Sequence, residues 1–152
     1  MLREKIDAAL KASMKARNEP TRVTTLRLIN AAIKDRDIAA RAEDRCDGVT
    51  DEEILTILTK MVKQREDSSD AFEKGGRPEL AEQERAEIAV IREFMPRQMG
   101  EEEIEKAVRD VIVELDAHGL KDMGRSMAAL KERYSGAMDF GRAGALMKKA
   151  LA

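Results

Sequence analysis

Aromatic side chains are almost missing from this chain: 3% of its 152 residues, with one tyrosine, three phenylalanines and no tryptophan. Sheets favour β-branched and aromatic residues, so the scarcity argues against a β-rich core. The single cysteine, Cys46, excludes an internal disulfide, and its Arg-Cys-Asp-Gly setting reads as an exposed loop in a protein of a reducing compartment. The single histidine, His118, has no cysteine or second histidine near it and cannot assemble a zinc set. No stretch approaches the roughly 20 apolar residues of a membrane span. The start, Met1-Leu2-Arg3-Glu4-Lys5-Ile6-Asp7, mixes charges where a signal peptide would run apolar. A cytoplasmic chain with no metal, no cofactor and no membrane is expected.

What is present is helix-forming. Charged residues make up 38% of the chain, and Met, Leu, Ile and Ala supply the apolar mass. The length suits one domain with a small appendage and allows a core without staples. Net charge is −2, unlike a general nucleic-acid coat protein, but it is unevenly spread. Residues 1–41 carry 10 basic and 5 acidic side chains, residues 42–110 carry 11 and 20, and residues 111–152 carry 7 and 5. Two readings stand: the charges solvate helix faces, or the basic ends meet RNA or an acidic partner.

Leu2, Ile6, Leu10 and Met14 recur every four residues and predict a helix to about Arg17. Asn18-Glu19-Pro20 breaks it, and Thr21 opens a second with Val23, Leu26, Ile29 and Ile33 on one stripe, dissolving into the charged run from Asp35. Thr50 and Glu53 spell a capping box before a third helix with Ile54, Ile57, Leu58, Met61 and Val62, to whose core Phe72 is expected to return. Gly75-Gly76 end that helix, Pro78 starts a fourth with Leu80, Ile88, Ile91 and Met95, and Pro96 stops it. Beyond the connector, Glu101 to Glu103 crowd the start of a helix with Ile104, Val108, Val111, Ile112 and Leu115, closed by His118-Gly119. Asp122 and Asp139 are expected to cap two last helices, bearing Met123, Met127 and Leu130, then Leu146 and Leu151. The expectation is an all-α protein of seven helices: a four-helix N-terminal domain, 1–95, and a three-helix tail, 96–152.

No constellation reads as a self-sufficient active site. Cys46 has acids rather than a base beside it, so it reads as a spacer and not a nucleophile. Gly75-Gly76 lack the spacing and the preceding strand of a phosphate loop. The paired carboxylates Glu66/Asp67/Asp70, Glu82/Glu84/Glu87 and Glu101 to Glu103 are placed on solvated faces, without the shielding that acid–base work needs. The polar run containing Lys63, Gln64, Arg65, Asp67 and Ser68 reads either as intrahelical ion pairs such as Lys63–Asp67 or as an interaction face. The tail offers Lys121, Arg125, Lys131, Arg133, Arg142, Lys148 and Lys149 as candidate RNA contacts, alongside Gly124, Gly141 and Gly144. Glycines in a first helical turn admit phosphate to exposed N–H donors, although tight packing selects them equally.

Five runs are similar to the YqeY family. They are Thr25-Leu26-Arg27-Leu28-Ile29-Asn30-Ala31-Ala32-Ile33-Lys34, Lys63-Gln64-Arg65-Glu66-Asp67-Ser68, Gly75-Gly76-Arg77-Pro78-Glu79-Leu80-Ala81, Phe94-Met95-Pro96 and Asp122-Met123-Gly124-Arg125. This family resembles the C-terminal helical region of GatB, the tRNA-holding subunit of the glutamine-dependent aspartyl/glutamyl-tRNA amidotransferase. The resemblance implies a helical body and a tail that engages tRNA, with Arg125, Lys131, Arg133 and Lys148 as phosphate partners. It also implies an activity name, carbon–nitrogen ligase with glutamine as amide donor. That chemistry belongs to a GatB catalytic domain with no counterpart in these residues. The expected function is a non-catalytic tRNA-binding or amidotransferase-associated module. A protein-interaction scaffold, using the acidic 42–110 region or the Lys63–Asp70 face, and an independent ligase remain as alternatives.

Overall fold

The structure is a computed structural model describing residues 1–45 and 48–152. Cys46 and Asp47, and with them the expected cysteine loop, lie outside the described residues. The elements are α1 (Leu2–Ala16), α2 (Pro20–Ala42), α3 (Asp51–Lys74), α4 (Pro78–Arg92), α5 (Glu101–Glu114), a 3-10 turn (Leu120–Asp122), α6 (Met123–Arg133) and α7 (Phe140–Leu151). Among the described residues the chain is all-α, with seven α-helices and no strand. It divides into compact units at Met1–Met95 and Pro96–Ala152.

In the first unit, α1 stops where Arg17 turns left-handed at φ 59°. α2 opens on Pro20 rather than Thr21, because proline at a first helical position loses no needed N–H and its φ is already helical. Nor does the charged run end α2, which continues to Ala42. Asp37, within that run, is turned inward: its carboxylate takes both Arg3 guanidinium nitrogens, at 2.8 and 2.9 Å, and the Val49 N–H at 3.0 Å. One side chain thus ties α1, α2 and the segment entering α3 together. The Arg3 guanidinium holds the Asp37 carboxyl below its ordinary range. Gly48 passes close to it at φ +85°, and a Cβ there would sit 2.9 Å from Asp37 Oδ1.

The capping box forms as the sequence predicts. Thr50 Oγ1 accepts the Glu53 N–H at 3.2 Å, and Glu53 Oε1 accepts the Thr50 N–H at 3.4 Å. At the other end of α3, Gly76 takes the left-handed conformation, at φ 73°, and Arg77 N–H reaches back to the Phe72 carbonyl at 2.7 Å. α3 and α4 form the principal helix pair, and Ile6, Leu26, Ile29, Ile54, Leu58, Ile88, Ile91 and Phe94 close the core. Three expected core residues are displaced. Met14, on the stripe of α1, is 47% exposed. Phe72 is only half-buried and stays outside the core cluster, since it lies on the turn-proximal end of the hairpin, and Leu80 is 38% exposed while its neighbour Ala81 is buried.

The second unit has its own core of Ile104, Val108, Val111, Leu130, Met138 and Met147. α5 ends earlier than His118-Gly119: Leu115 caps it, and Asp116 turns left-handed at φ 51°. The His118 ring instead lies 2.9 Å from Asp116 Oδ1. Asp122 sits at the N-cap position of α6 but makes no side-chain cap bond, because its carboxylate accepts the His118 N–H at 2.7 Å. Asp139 does cap α7, accepting from the Gly141 and Arg142 N–H groups at 3.0 and 3.2 Å. Gln98 donates to the Gly136 carbonyl at 2.7 Å, fastening this unit's first residues to the turn before α7.

Leu58→Ala, which removes a fully buried side chain, should destabilise the protein by about 2–5 kcal/mol. Thr50→Ala should remove about 1 kcal/mol through the lost cap. Urea titrations followed by far-UV circular dichroism check both, and equal losses would contradict the cap assignment.

Candidate functional site

The seven candidate cations of the tail fall into two groups. Arg125 Nε lies 3.1 Å from Asp122 Oδ1, Arg133 reaches Glu114 at 2.5 Å, and Arg142 pairs with Glu101. These arginines brace the unit: Arg133 joins α6 to the end of α5, and Arg142 joins α7 to its start. The Glu101 carboxyl is held below its ordinary range by Arg142, and that of Asp122 first by the His118 N–H and then by Arg125. Lys121, Lys131, Lys148 and Lys149 are exposed, and none enters an ion pair among the described residues. They sit on the 3-10 turn, α6 and α7, three elements that pack on one another.

The tail glycines divide likewise. Space for a Cβ is open at Gly124, Gly141 faces its own cap oxygen Asp139 Oδ1 at 3.2 Å, and Gly144 meets Met127 at 3.9 Å. The residues 96–152 contain ten basic and ten acidic side chains. Affinity for a polyanion here would come from placement of the free lysines, not from net charge.

The Lys63–Asp70 run is partly consumed by the fold. Lys63 and Asp67 form the expected intrahelical pair at 3.5 Å. Ser69 is buried and donates to the Glu66 carbonyl at 3.0 Å, and Ser68 is half-buried. Arg65 turns inward, its Nε 3.3 Å from Glu87 Oε2 with both side chains 14% exposed. That approach lacks hydrogen-bond geometry, so the buried Nε–H is unpaired, while Nη1 donates to the Met61 carbonyl at 3.2 Å. The expected polar face therefore keeps Lys63, Gln64 and Asp67 and loses Arg65.

The expectation that Glu84 and Glu87 lie on a solvated face is also corrected. Both are half-buried. Burial, then the negative charge of Glu87, push the Glu84 carboxyl up, while Arg65 pulls it down. Their spacing carried the signal: Arg65 and Ser69 continue the stripe of Leu58 and Met61, and Glu84 falls between Ala81 and Ile88. A nearby cleft of about 380 Å³ is lined by Glu66, Ser69, Arg85, Ile88, Ala89 and Arg92. Its arginines are already occupied, Arg92 by Glu66 at 2.8 Å and Arg85 by Glu73. Among the described residues no group of three or more His, Cys, Asp or Glu is arranged to hold a metal ion, and no helix is long and apolar enough to cross a membrane.

A sequence model of the family described as Yqey-like protein matches residues 3–151. Among curated proteins the chain is similar to fungal proteins named Altered inheritance of mitochondria protein 41, mitochondrial. That of Lachancea thermotolerans is 33% identical over 109 residues, covering 70% of this chain and 55% of the relative. That of Clavispora lusitaniae is 34% identical over 111 residues, covering 72% and 61%. That of Pyrenophora tritici-repentis is 27% identical over 135 residues, covering 85% and 71%. The chain thus spans less than two thirds of the first two relatives.

A carboxyl whose folded value is raised destabilises the fold once pH climbs through that value, because the ionised form is the disfavoured one. Glu84→Gln should therefore raise the thermal midpoint at neutral pH. The gain should shrink as pH falls through the folded value and vanish below the ordinary carboxylate value, where Glu84 is protonated in both states. A gain independent of pH from 4 to 8 would show that shape, not charge, is responsible.

Proposed function

The chain belongs to the YqeY-like protein family, and from that membership we propose that it is a tRNA-binding module associated with glutamine-dependent tRNA amidotransfer, in which these residues bind and do no chemistry. The observation that carries the reading is the set of four exposed lysines, Lys121, Lys131, Lys148 and Lys149, without acidic partners among the described residues, on a three-helix unit braced by its arginines. A compact, strongly hydrated ammonium on a flexible stem suits phosphate contact without sequence readout. The similarity to the GatB tail supplies the class of nucleic acid. Arg125, Arg133 and Arg142 then act by holding the helices that present the lysines. The one half-buried carboxyl pair noted above, Glu84 with Glu87, already faces Arg65, so no acid–base role is assigned to it. The single cysteine suits a reducing compartment, and we assign the chain to the cytoplasm.

Filter binding of unfractionated tRNA across a salt series tests this. Four phosphate contacts should give a log–log slope of about −3 to −4. Lys148→Glu with Lys149→Glu should weaken binding at least tenfold and flatten the slope by roughly half, leaving helicity unchanged. No measurable affinity at low salt would overturn the reading, and amide formation on mischarged tRNA by the purified chain would overturn its non-catalytic part.

A further inference from the structure

The excess of positive charge is larger at the start of the chain than on the tail. Residues 1–41 carry 10 basic and 5 acidic side chains, whereas residues 96–152 are balanced. Three of those five acids are already engaged: Glu4 holds the N-terminal ammonium, Glu19 lies 4.0 Å from Arg22, and Asp37 takes Arg3. Of the ten cations, Arg3 and Arg22 alone enter ion pairs among the described residues, which sets eight against Asp7 and Asp35.

Three of the eight form a row on α2. Arg27, Lys34 and Arg41 are exposed and recur every seven residues. At 3.6 residues per turn they fall within about 40° of arc, about 10 Å apart, along about 21 Å of helix. Asp37 lies about 40–80° round the helix from the row, between it and the buried stripe of Leu26, Ile29 and Ile33, and its charge is matched by Arg3. Asp35 falls about 80–120° away on the other side, where it lines the α2–α3 cleft with Lys60 and Gln64. The exposed apolar side chains bordering the row are Ala31 and Ile38.

A protein partner would need carboxylates matched to this spacing and an apolar centre, which Ala31 and Ile38 are too small to supply. A nucleic-acid backbone needs neither. A duplex carries one charge per about 1.7 Å of its axis, so a row about 21 Å long meets phosphates in any register. We propose that the Arg27–Lys34–Arg41 row is a second RNA-backbone contact surface, separate from the tail lysines and blind to base sequence. The two guanidinium groups fork onto phosphate oxygens, and the Lys34 ammonium adds a point charge between them. The inference takes from the proposed function only that the polyanion is RNA; the surface belongs to the first unit and to different residues.

Two measurements on the full chain test it, with unfractionated tRNA and a short RNA duplex of arbitrary sequence as probes. In the first, lysine acetylation of the unmodified chain is read residue by residue by mass spectrometry. Either RNA should protect Lys34 and leave Lys63, paired with Asp67 on α3, as reactive as before. In the second, the tail is neutralised by Lys121→Gln, Lys131→Gln, Lys148→Gln and Lys149→Gln. Binding should persist, weaker, with a log–log salt slope of about −2 to −3 for three contacts. Adding Arg27→Gln, Lys34→Gln and Arg41→Gln should weaken it at least tenfold further and bring the slope near zero, with far-UV circular dichroism unchanged. Lys34 left unprotected, residual binding indifferent to the three α2 substitutions, or protection by anionic phosphatidylglycerol vesicles but not by RNA would overturn the inference. Loss of all binding on neutralising the tail would overturn it too, while leaving the tail reading intact. Undiminished binding after that neutralisation would instead remove the tail reading and support the α2 row.

Discussion

The seam between α3 and α4 has an apolar half and a charged half, and the first unit is organised by the point where one gives way to the other. From Ile54 to Val62, α3 supplies side chains to the core, matched on α4 by Ile88 and Ile91. Closer to the Gly76 turn the same stripe positions are polar, and the two helices are joined by Arg65–Glu87, Glu66–Arg92 and Glu73–Arg85. The exposed pairs among these contribute little strength in water, and the partly buried Arg65–Glu87 pair must offset its own desolvation. Their value lies in register. Each joins one fixed position of α3 to one of α4, so a slip of the hairpin would break Glu66–Arg92 and Glu73–Arg85 together. With Glu84 beside Glu87, one cation faces two carboxylates, and the second carboxyl is driven towards its neutral form.

Elsewhere the same division of labour separates arginine from lysine. Guanidinium groups present several donors in a fixed plane and can bridge elements with less loss of freedom per bond. They do so at Arg3 with Asp37 between α1 and α2, at Arg133 with Glu114, and at Arg142 with Glu101. The tail lysines make no such pairs among the described residues. A chain with nearly balanced charge can thus hold local regions of uncancelled positive potential, because the acids nearest the tail's bracing arginines, Glu101, Glu114 and Asp122, are already matched to them. This is why the net charge of −2 is a poor guide to what the surface attracts.

Features set by a few neighbouring residues were legible in the sequence: the Thr50–Glu53 capping box, the Asp139 cap, the Lys63–Asp67 pair and the apolar periods of the helices. Features set by competition among nearby partners, or by a partner across the fold, were not. Asp122 has the identity and position of a cap, but its carboxylate is taken by the His118 N–H, and nothing in the local pattern distinguishes the two uses. Phe72 looked like core because it is apolar, and Arg65 looked like surface because it is charged. Stripe position would have ranked Arg65 better than residue type did. Of the candidate cations, the arginine–lysine division depends on which carboxylate lies across the fold, which spacing along one chain does not reveal.

The outer side of α2 shows the same distinction between position and type. Leu28, Ala31 and Ile38 lie off the stripe of Leu26, Ile29 and Ile33, and on a 23-residue helix packed against α1 and α4 they face away from the core. Exposed Asp35 falls among them around the helix, so they are scattered apolar side chains of the kind any surface carries and not a continuous strip. The tail lysines differ in kind: their charges have no acidic partner among the described residues and stand on three elements that pack on one another, which suits a phosphate backbone.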